Sequence, residues 1–199
     1  NATVLRLLIK VLKGKRNVQH LRLKLGCDGI TASNMPTLGV QLKQTKSIKT
    51  LNINIAHSQI LDMTFQFLRK SLKSLSYLRS FSLSTTWNKS ITSKSIQYLM
   101  DGIKSLKNLE IFQITPSNNQ LTQNGLQYLK SGIKSMVSLK ELYLNLSCMC
   151  ALKSQRLFDL EESFKSMKEL KYFFIKLDYN LKDAELTKLS EGVSIILQY

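Results

Sequence analysis

The sequence predicts an α/β fold: a curved solenoid of about six strand-plus-helix units, with a parallel sheet on its concave side and helices on its convex side. Three observations carry that expectation. Apolar segments recur at a fixed period, with markers at Val18, Ile48, Leu78, Leu109, Leu139 and Leu170 separated by 30, 30, 31, 30 and 31 residues. Around each marker apolar and polar residues alternate, as in Leu21-Arg22-Leu23-Lys24-Leu25, which is the period of a strand with one buried side. Between markers the apolar residues step by three and four, which gathers them on one helix face. Neither half of such a unit can bury its apolar face alone, so the units must stack.

The first sixteen residues supply only the helix of an incomplete unit, with Leu5, Leu8 and Leu12 on one face. Residues 2–13 could pass for a targeting helix. Those three leucines keep the register of every later helix, however, and assign the segment to the core. Units then begin near residues 17, 47, 77, 108, 138 and 169, in one continuous domain over 1–199. Three residues past each marker stand Leu21, Leu51, Phe81, Phe112, Leu142 and Phe173, and five past stand Leu23, Ile53, Leu83, Ile114, Leu144 and Ile175. These are the inward strand positions. Helical core rows precede each marker by thirteen, ten and six residues, beginning with Met35, Leu38 and Leu42 in the second helix and ending with Leu157, Leu160 and Phe164 in the sixth. After the sixth strand, Leu186, Leu189, Val193 and Ile196 repeat the helical spacing and predict a last helix. The chain starts within a unit, and Val193, Ile195, Ile196 and Leu197 crowd that last helix. Further chain, or a partner, is expected to cover the ends.

Segments such as Ser138-Leu139-Lys140-Glu141-Leu142-Tyr143-Leu144-Asn145-Leu146 and Asn17-Val18-Gln19-His20-Leu21-Arg22-Leu23 resemble the leucine-rich repeat family, in its longer ribonuclease-inhibitor-like subtype. The likeness covers essentially the whole chain. A composition rich in Leu, Ser, Lys, Asn and Gln makes the repeats similar to those of ciliate leucine-rich proteins. The resemblance implies a right-handed arc and the binding of other proteins. The chain departs from the family at the turn after the strand, where Asn or Cys is usual. Cys27 and Cys148 fit there, but His57, Trp87 and Asn118 stand at the comparable places. Looser strand-to-helix turns are the expectation.

Curvature follows from geometry as well. Parallel strands sit about 4.8 Å apart, whereas stacked helices need about 10 Å. Joining the two in every unit bends the array with its sheet inside.

A formal net charge of +16 over 199 residues points to an acidic protein, an anionic polymer or an anionic membrane surface. A lysine stands five residues before every marker: Lys13, Lys43, Lys73, Lys104, Lys134 and Lys165. Stacked units turn these into a ladder along one edge. The ladder reads either as a basic rail for acidic segments or phosphates, or as cations that complement helix C-termini by about 0.3–1 kcal/mol each. Outward strand residues line the concave face. They grade from His20, Arg22 and Lys24, through Thr50, Asn52, Asn54, Ser80, Ser82 and Ser84, to Ile111, Tyr143, Tyr172 and Phe174. Those last four would cluster near the C-terminal half as an interface hot spot, unless another repeat or loop covers them.

No catalytic constellation emerges. His20 and His57, the two histidines, have no carboxylate placed by the register to orient them, and the eight glycines are too scattered for a phosphate loop. Cys27 and Cys148 lie four units apart, about 19 Å or more at strand spacing, which exceeds the roughly 7 Å a disulfide spans. With Cys150 they read as free thiols in a reducing, intracellular and cytoplasmic setting. Cys148 and Cys150 are too few for structural zinc, and no cofactor is implied. Three Asn-x-Ser/Thr triplets, at Asn1, Asn88 and Asn145, read as chance. No run of about twenty apolar residues is present to span a membrane.

The expected function is a non-catalytic interaction scaffold or adaptor within a larger protein or complex, holding an acidic protein on its concave face. One alternative is a GTPase-activating protein similar to the Ran-activating type, for which Arg22 is the only concave arginine. Another is a basic module that binds nucleic acid with steep salt dependence.

Overall fold

The computed structural model describes residues 2–13, 15, 17–26, 35–58, 60–116, 122–147, 163, 167–176 and 194–198. Strand and helix alternate in order: α1 (Ala2–Lys13), β1 (His20–Lys24), α2 (Met35–Gln44), β2 (Thr50–Asn54), α3 (Asp62–Leu72), β3 (Ser80–Ser84), α4 (Ser93–Ile103), β4 (Ile111–Thr115), α5 (Gln123–Ile133) and β5 (Glu141–Asn145). Two more strands follow, β6 (Tyr172–Lys176) and β7 (Ser194–Gln198). All seven strands form one parallel sheet in sequence order. The register joins His20, Thr50, Ser80, Ile111, Glu141 and Tyr172 side by side, so each rung is one sequence period.

Strand alternation sorts the side chains as the pleat requires. The inward row Leu51, Phe81, Phe112, Leu142 and Phe173 is no more than 1% exposed. Phe81 and Phe112 stack in successive rungs, with ring centroids 6.3 Å apart. Facing them are the helical rows Leu38, Leu68, Leu99 and Leu129, and Leu42, Leu72, Ile103 and Ile133, all buried. Each such side chain contributes about 1.5–3 kcal/mol by leaving water. Leu12 is buried in the same core, which places α1 in the array. Leu157, Leu160 and Phe164 lie outside the described residues.

Neighbouring helices approach closely through small residues seven positions before the marker. Ser71 donates its hydroxyl to the Gly39 carbonyl of α2 at 2.9 Å. Two helix pairs later, a Cβ on Gly132 of α5 would collide with the Met100 side chain of α4.

The predicted last helix does not run through Ile196. Ser194–Gln198 form β7 instead, paired with β6 in the register Tyr172 to Ser194. Adjacent Ile195 and Ile196 have the branched side chains that suit a strand, and pairing satisfies the open backbone edge of β6. Those gains outweigh a short stretch of three-and-four spacing. Leu186, Leu189 and Val193 lie outside the described residues. No helix among the described residues is long and apolar enough to cross a membrane.

Candidate interaction surfaces

On the sheet face the outward residues of β1 to β6 stand in straight rows. His20, Arg22 and Lys24 are exposed at one end, and His20 Nδ1 lies 3.1 Å from Thr50 Oγ1. His20 and Arg22 border a polar depression of about 440 Å³ floored by Thr50, Asn52, Ser80, Ser82 and Gln113. At the other end Tyr143 and Phe174 pair across the strands, ring centroids 6.2 Å apart and tilted by 37°. Tyr172 is 52% exposed beside them. The Tyr143 hydroxyl donates to Glu141 Oε2 at 2.9 Å. That bond, then partial burial and the nearby negative charge, raises the phenol above its ordinary range and keeps it a donor. Ile111 shares a row with Tyr172, but Glu141 stands between them. Tyr143, Phe174 and Tyr172 stand together on β5 and β6, and Ile111 lies on the adjacent β4, diagonal to Tyr143 and two rungs from Tyr172.

One edge of the solenoid consists of the helix-to-strand turns. α3, α4 and α5 end on Lys73, Lys104 and Lys134, each closing its helix in right-handed conformation with φ of −58°, −52° and −56°. Lys13 and Lys43 occupy the last turns of α1 and α2, and Lys165 lies outside the described residues. A cation at that end complements the helix dipole. The next residue repeats too: Ser74, Ser105 and Ser135 donate to the carbonyls of Ser71, Gly102 and Gly132 at 2.7, 2.7 and 2.6 Å.

Two further basic rows share this edge, and sequence reasoning missed both. Lys46, Lys107 and Lys168 stand at the turn tips, and Lys49, Arg79, Lys140 and Lys171 stand one residue past the marker, just before the strands. All are exposed except the half-buried Lys140. Their signal was available, since they recur two residues before and one residue after the markers. Glu110 interrupts the last row. It accepts from Lys140 Nζ at 3.1 Å and from Arg79. Those two hydrogen bonds hold its carboxyl below the ordinary carboxylate range.

The opposite edge consists of the strand-to-helix turns, held by side chains from neighbouring units. Asn88 is 1% exposed. Its Oδ1 accepts from the Ser58 N–H at 2.9 Å, and its Nδ2 donates to the Ile55 and Thr85 carbonyls at 2.8 Å. The described turns are thus tightly bonded, not loose. The bonding asparagine stands one residue later than expected, and the recurrence of Asn88, Asn119 and Asn180 ten residues past their markers was its signal. Burial also removes Asn88 as a glycan acceptor. At the expected position, His57 and Trp87 take left-handed conformations with φ of 55° and 63°. Their rings stack 6.1 Å apart. Cys27, Asn118 and Cys148 lie outside the described residues.

The same edge carries a second link that nothing in the repeat pattern announced. Asp62, first residue of α3, accepts from the Thr92 N–H at 2.9 Å, the Thr92 hydroxyl at 2.7 Å and the Ser95 hydroxyl. It thereby holds Thr92, whose hydroxyl oxygen caps α4 by accepting from the Lys94 N–H at 3.1 Å, from the neighbouring unit. Burial pushes its carboxyl up, but the bonds from Ser95 and Thr92 outweigh that and leave it below the ordinary range. Ser93 serves α5 similarly, accepting from the Thr122 N–H at 3.0 Å. Among the described residues, no three of His, Cys, Asp or Glu converge as metal ligands.

No family model matches the sequence, and no curated protein matches it. Solved structures do. The fold is similar to leiomodin-1 actin-binding site 2, with a TM-score of 0.60 at 13% identity, covering 79% of this chain and 86% of that one. It is also similar to the tropomodulin C-terminal domain of Caenorhabditis elegans, with a TM-score of 0.59 at 17% identity, covering 79% and 89%. The fold is of the leucine-rich repeat type. At such identities the likeness is one of fold alone.

Proposed function

We propose that this chain is a non-catalytic interaction module that holds a protein partner on its concave sheet face. One observation carries the reading: Tyr143, Phe174 and the half-exposed Tyr172 form an aromatic patch on the outward side of β5 and β6. Aromatic side chains of this kind dominate binding energy at protein interfaces. This patch is also preorganised, because paired strands fix the backbone and Glu141 fixes the Tyr143 hydroxyl, so little freedom is lost on docking. His20, Arg22 and Lys24 at the far end steer an acidic region of the same partner. The leiomodin-1 domain is an actin-binding site, which supports protein docking as a use of this fold. A ribonuclease-inhibitor-like repeat subtype, a cytoplasmic setting and a place in a larger complex belong to the same proposal.

The test compares capture by the immobilised chain and by its Tyr143→Ala, Tyr172→Ala, Phe174→Ala variant, using extract from the native source and purified actin in a separate arm. Retention of the partner should fall at least about tenfold, as for hot-spot residues. Tyr172→Ala alone changes an exposed side chain and should show a smaller loss with an unchanged melting temperature. Equal capture by both variants overturns the reading.

A further inference from the structure

The basic residues are not spread evenly over the surface. Thirteen of the 29 Lys and Arg stand on the described helix-to-strand turns, twelve of them lysines, against Glu110 and Glu169 in the same turns. Asp101 adds one acid at the end of α4, 3.9 Å from Lys104 Nζ. At the described positions of the opposite edge stand Lys89 in a turn and Asp62 and Lys94 in the first turns of α3 and α4. Among the described residues, one edge is therefore strongly cationic and the other nearly neutral.

Two features say what the cationic edge meets. Apolar tips are interleaved with its lysines: Tyr77 is 64% exposed and Val137 57% exposed, each in the same turn position that carries lysine in neighbouring units or beside it. Lysine is also a compact point charge on a flexible stem, suited to a diffuse anionic plane, whereas bidentate phosphate recognition favours arginine. Successive turns of a stacked array present these side chains together along one border.

We propose that this edge seats the solenoid on an anionic lipid bilayer. The lysines lie over the charged headgroups, and the Tyr77 and Val137 side chains enter the interfacial region. Docked so, the array stands on its turns and leaves the concave aromatic patch open to a protein.

Vesicle co-sedimentation tests this with the whole chain. Binding is expected to phosphatidylcholine vesicles containing about 30% phosphatidylserine, and to be lost without the anionic lipid or at high salt. Lys46→Gln, Lys107→Gln, Lys168→Gln should lower partitioning roughly a hundredfold, about fivefold per lysine. Tyr77→Ser with Val137→Ser should lower it several-fold while the salt dependence stays. The chain's one tryptophan, Trp87, stands on the opposite edge. Its fluorescence should escape quenching by brominated acyl chains, whereas Tyr77→Trp in a Trp87→Phe background should be quenched. Vesicle binding should persist in the Tyr143, Tyr172, Phe174 alanine variant, which separates this surface from the sheet face. Equal binding to neutral vesicles, unchanged partitioning of the lysine variant, or quenching of Trp87 overturns the proposal. Tighter binding of a single-stranded oligonucleotide than of anionic vesicles overturns it in favour of nucleic acid.

Discussion

The two edges of the solenoid solve the same problem, reversing the chain between strand and helix, by different means. On the helix-to-strand side, Lys73-Ser74-Leu75, Lys104-Ser105-Leu106 and Lys134-Ser135-Met136 make one turn three times, each with a serine hydroxyl bonding back within its own unit. On the strand-to-helix side the bonds cross between units. Asn88 reaches back to Ser58 and Ile55, and Asp62 reaches forward to Thr92 and Ser95. Bonds between units exist on the helix-to-strand side as well, where Ser47, Asn108 and Ser138 donate to the Val18, Ser76 and Lys107 carbonyls and Glu110 accepts from Arg79 and Lys140. They lie nearer the surface, however, and that is the edge where the described charge accumulates. Cross-linked turns are committed to holding adjacent units in register. Of the linking side chains on the strand-to-helix edge, Ser58 and Asn88 are buried, whereas Asp62 and Thr92 are half-buried. The buried links of the strand-to-helix edge should therefore contribute more to cooperativity between units than the exposed ones of the other edge.

Mutation can break this comparison, and the largest effect is expected at Asn88. Asn88→Ala leaves the Ser58 N–H and two buried carbonyls without that partner. It should cost about 3 kcal/mol or more by urea unfolding, at roughly 1–3 kcal/mol per unsatisfied group. A loss under about 1 kcal/mol would mean that the turn does not depend on its neighbour.

Asp62 should come next, with a pH signature. Asp62→Ala removes the acceptor that holds Thr92 and Ser95 at the start of α4 and should cost about 1–2 kcal/mol near neutral pH. Because its folded carboxyl lies below the ordinary value of 3.8, its contribution is whole above that value. It is lost as pH falls through the lower folded value. Asp62→Asn should flatten that part of the acid unfolding curve relative to the parent chain. An unchanged acid limb would remove Asp62 from the link.

The smallest effect belongs to the other edge. Lys73→Gln, Lys104→Gln and Lys134→Gln should each cost no more than about 0.3–1 kcal/mol of dipole complementarity, and less at high salt. Thermal melts at low and high salt measure this. Losses well above that range would mean that the helix-end lysines hold the units together, and the contrast between the edges would fail.

Legibility in the sequence followed the same division. The strand register was readable because a two-residue period leaves one way to bury Leu51, Phe81 and Phe112 together. The helix-end lysines were readable because they recur at one offset. Asn88 was missed by one residue, since a left-handed Trp87 shifts the bonding side chain along the chain. Asp62 carried no periodic signal: its partners stand in the next unit, and only stacking brings them within bonding distance. Likewise, Ile195 and Ile196 fit either period until the open edge of β6 made pairing the lower-energy choice.

By itself, then, the sequence determined the repeat, the parallel sheet and which side of each strand faces outward, because hydrophobic burial acts on periodicity and periodicity is written in the chain. Tertiary structure alone decided how the units are linked, that Tyr143 and Phe174 pair across β5 and β6, and that three basic rows share one border. Those outcomes depend on distances between units, which are set when helices and strands of unequal width are stacked together.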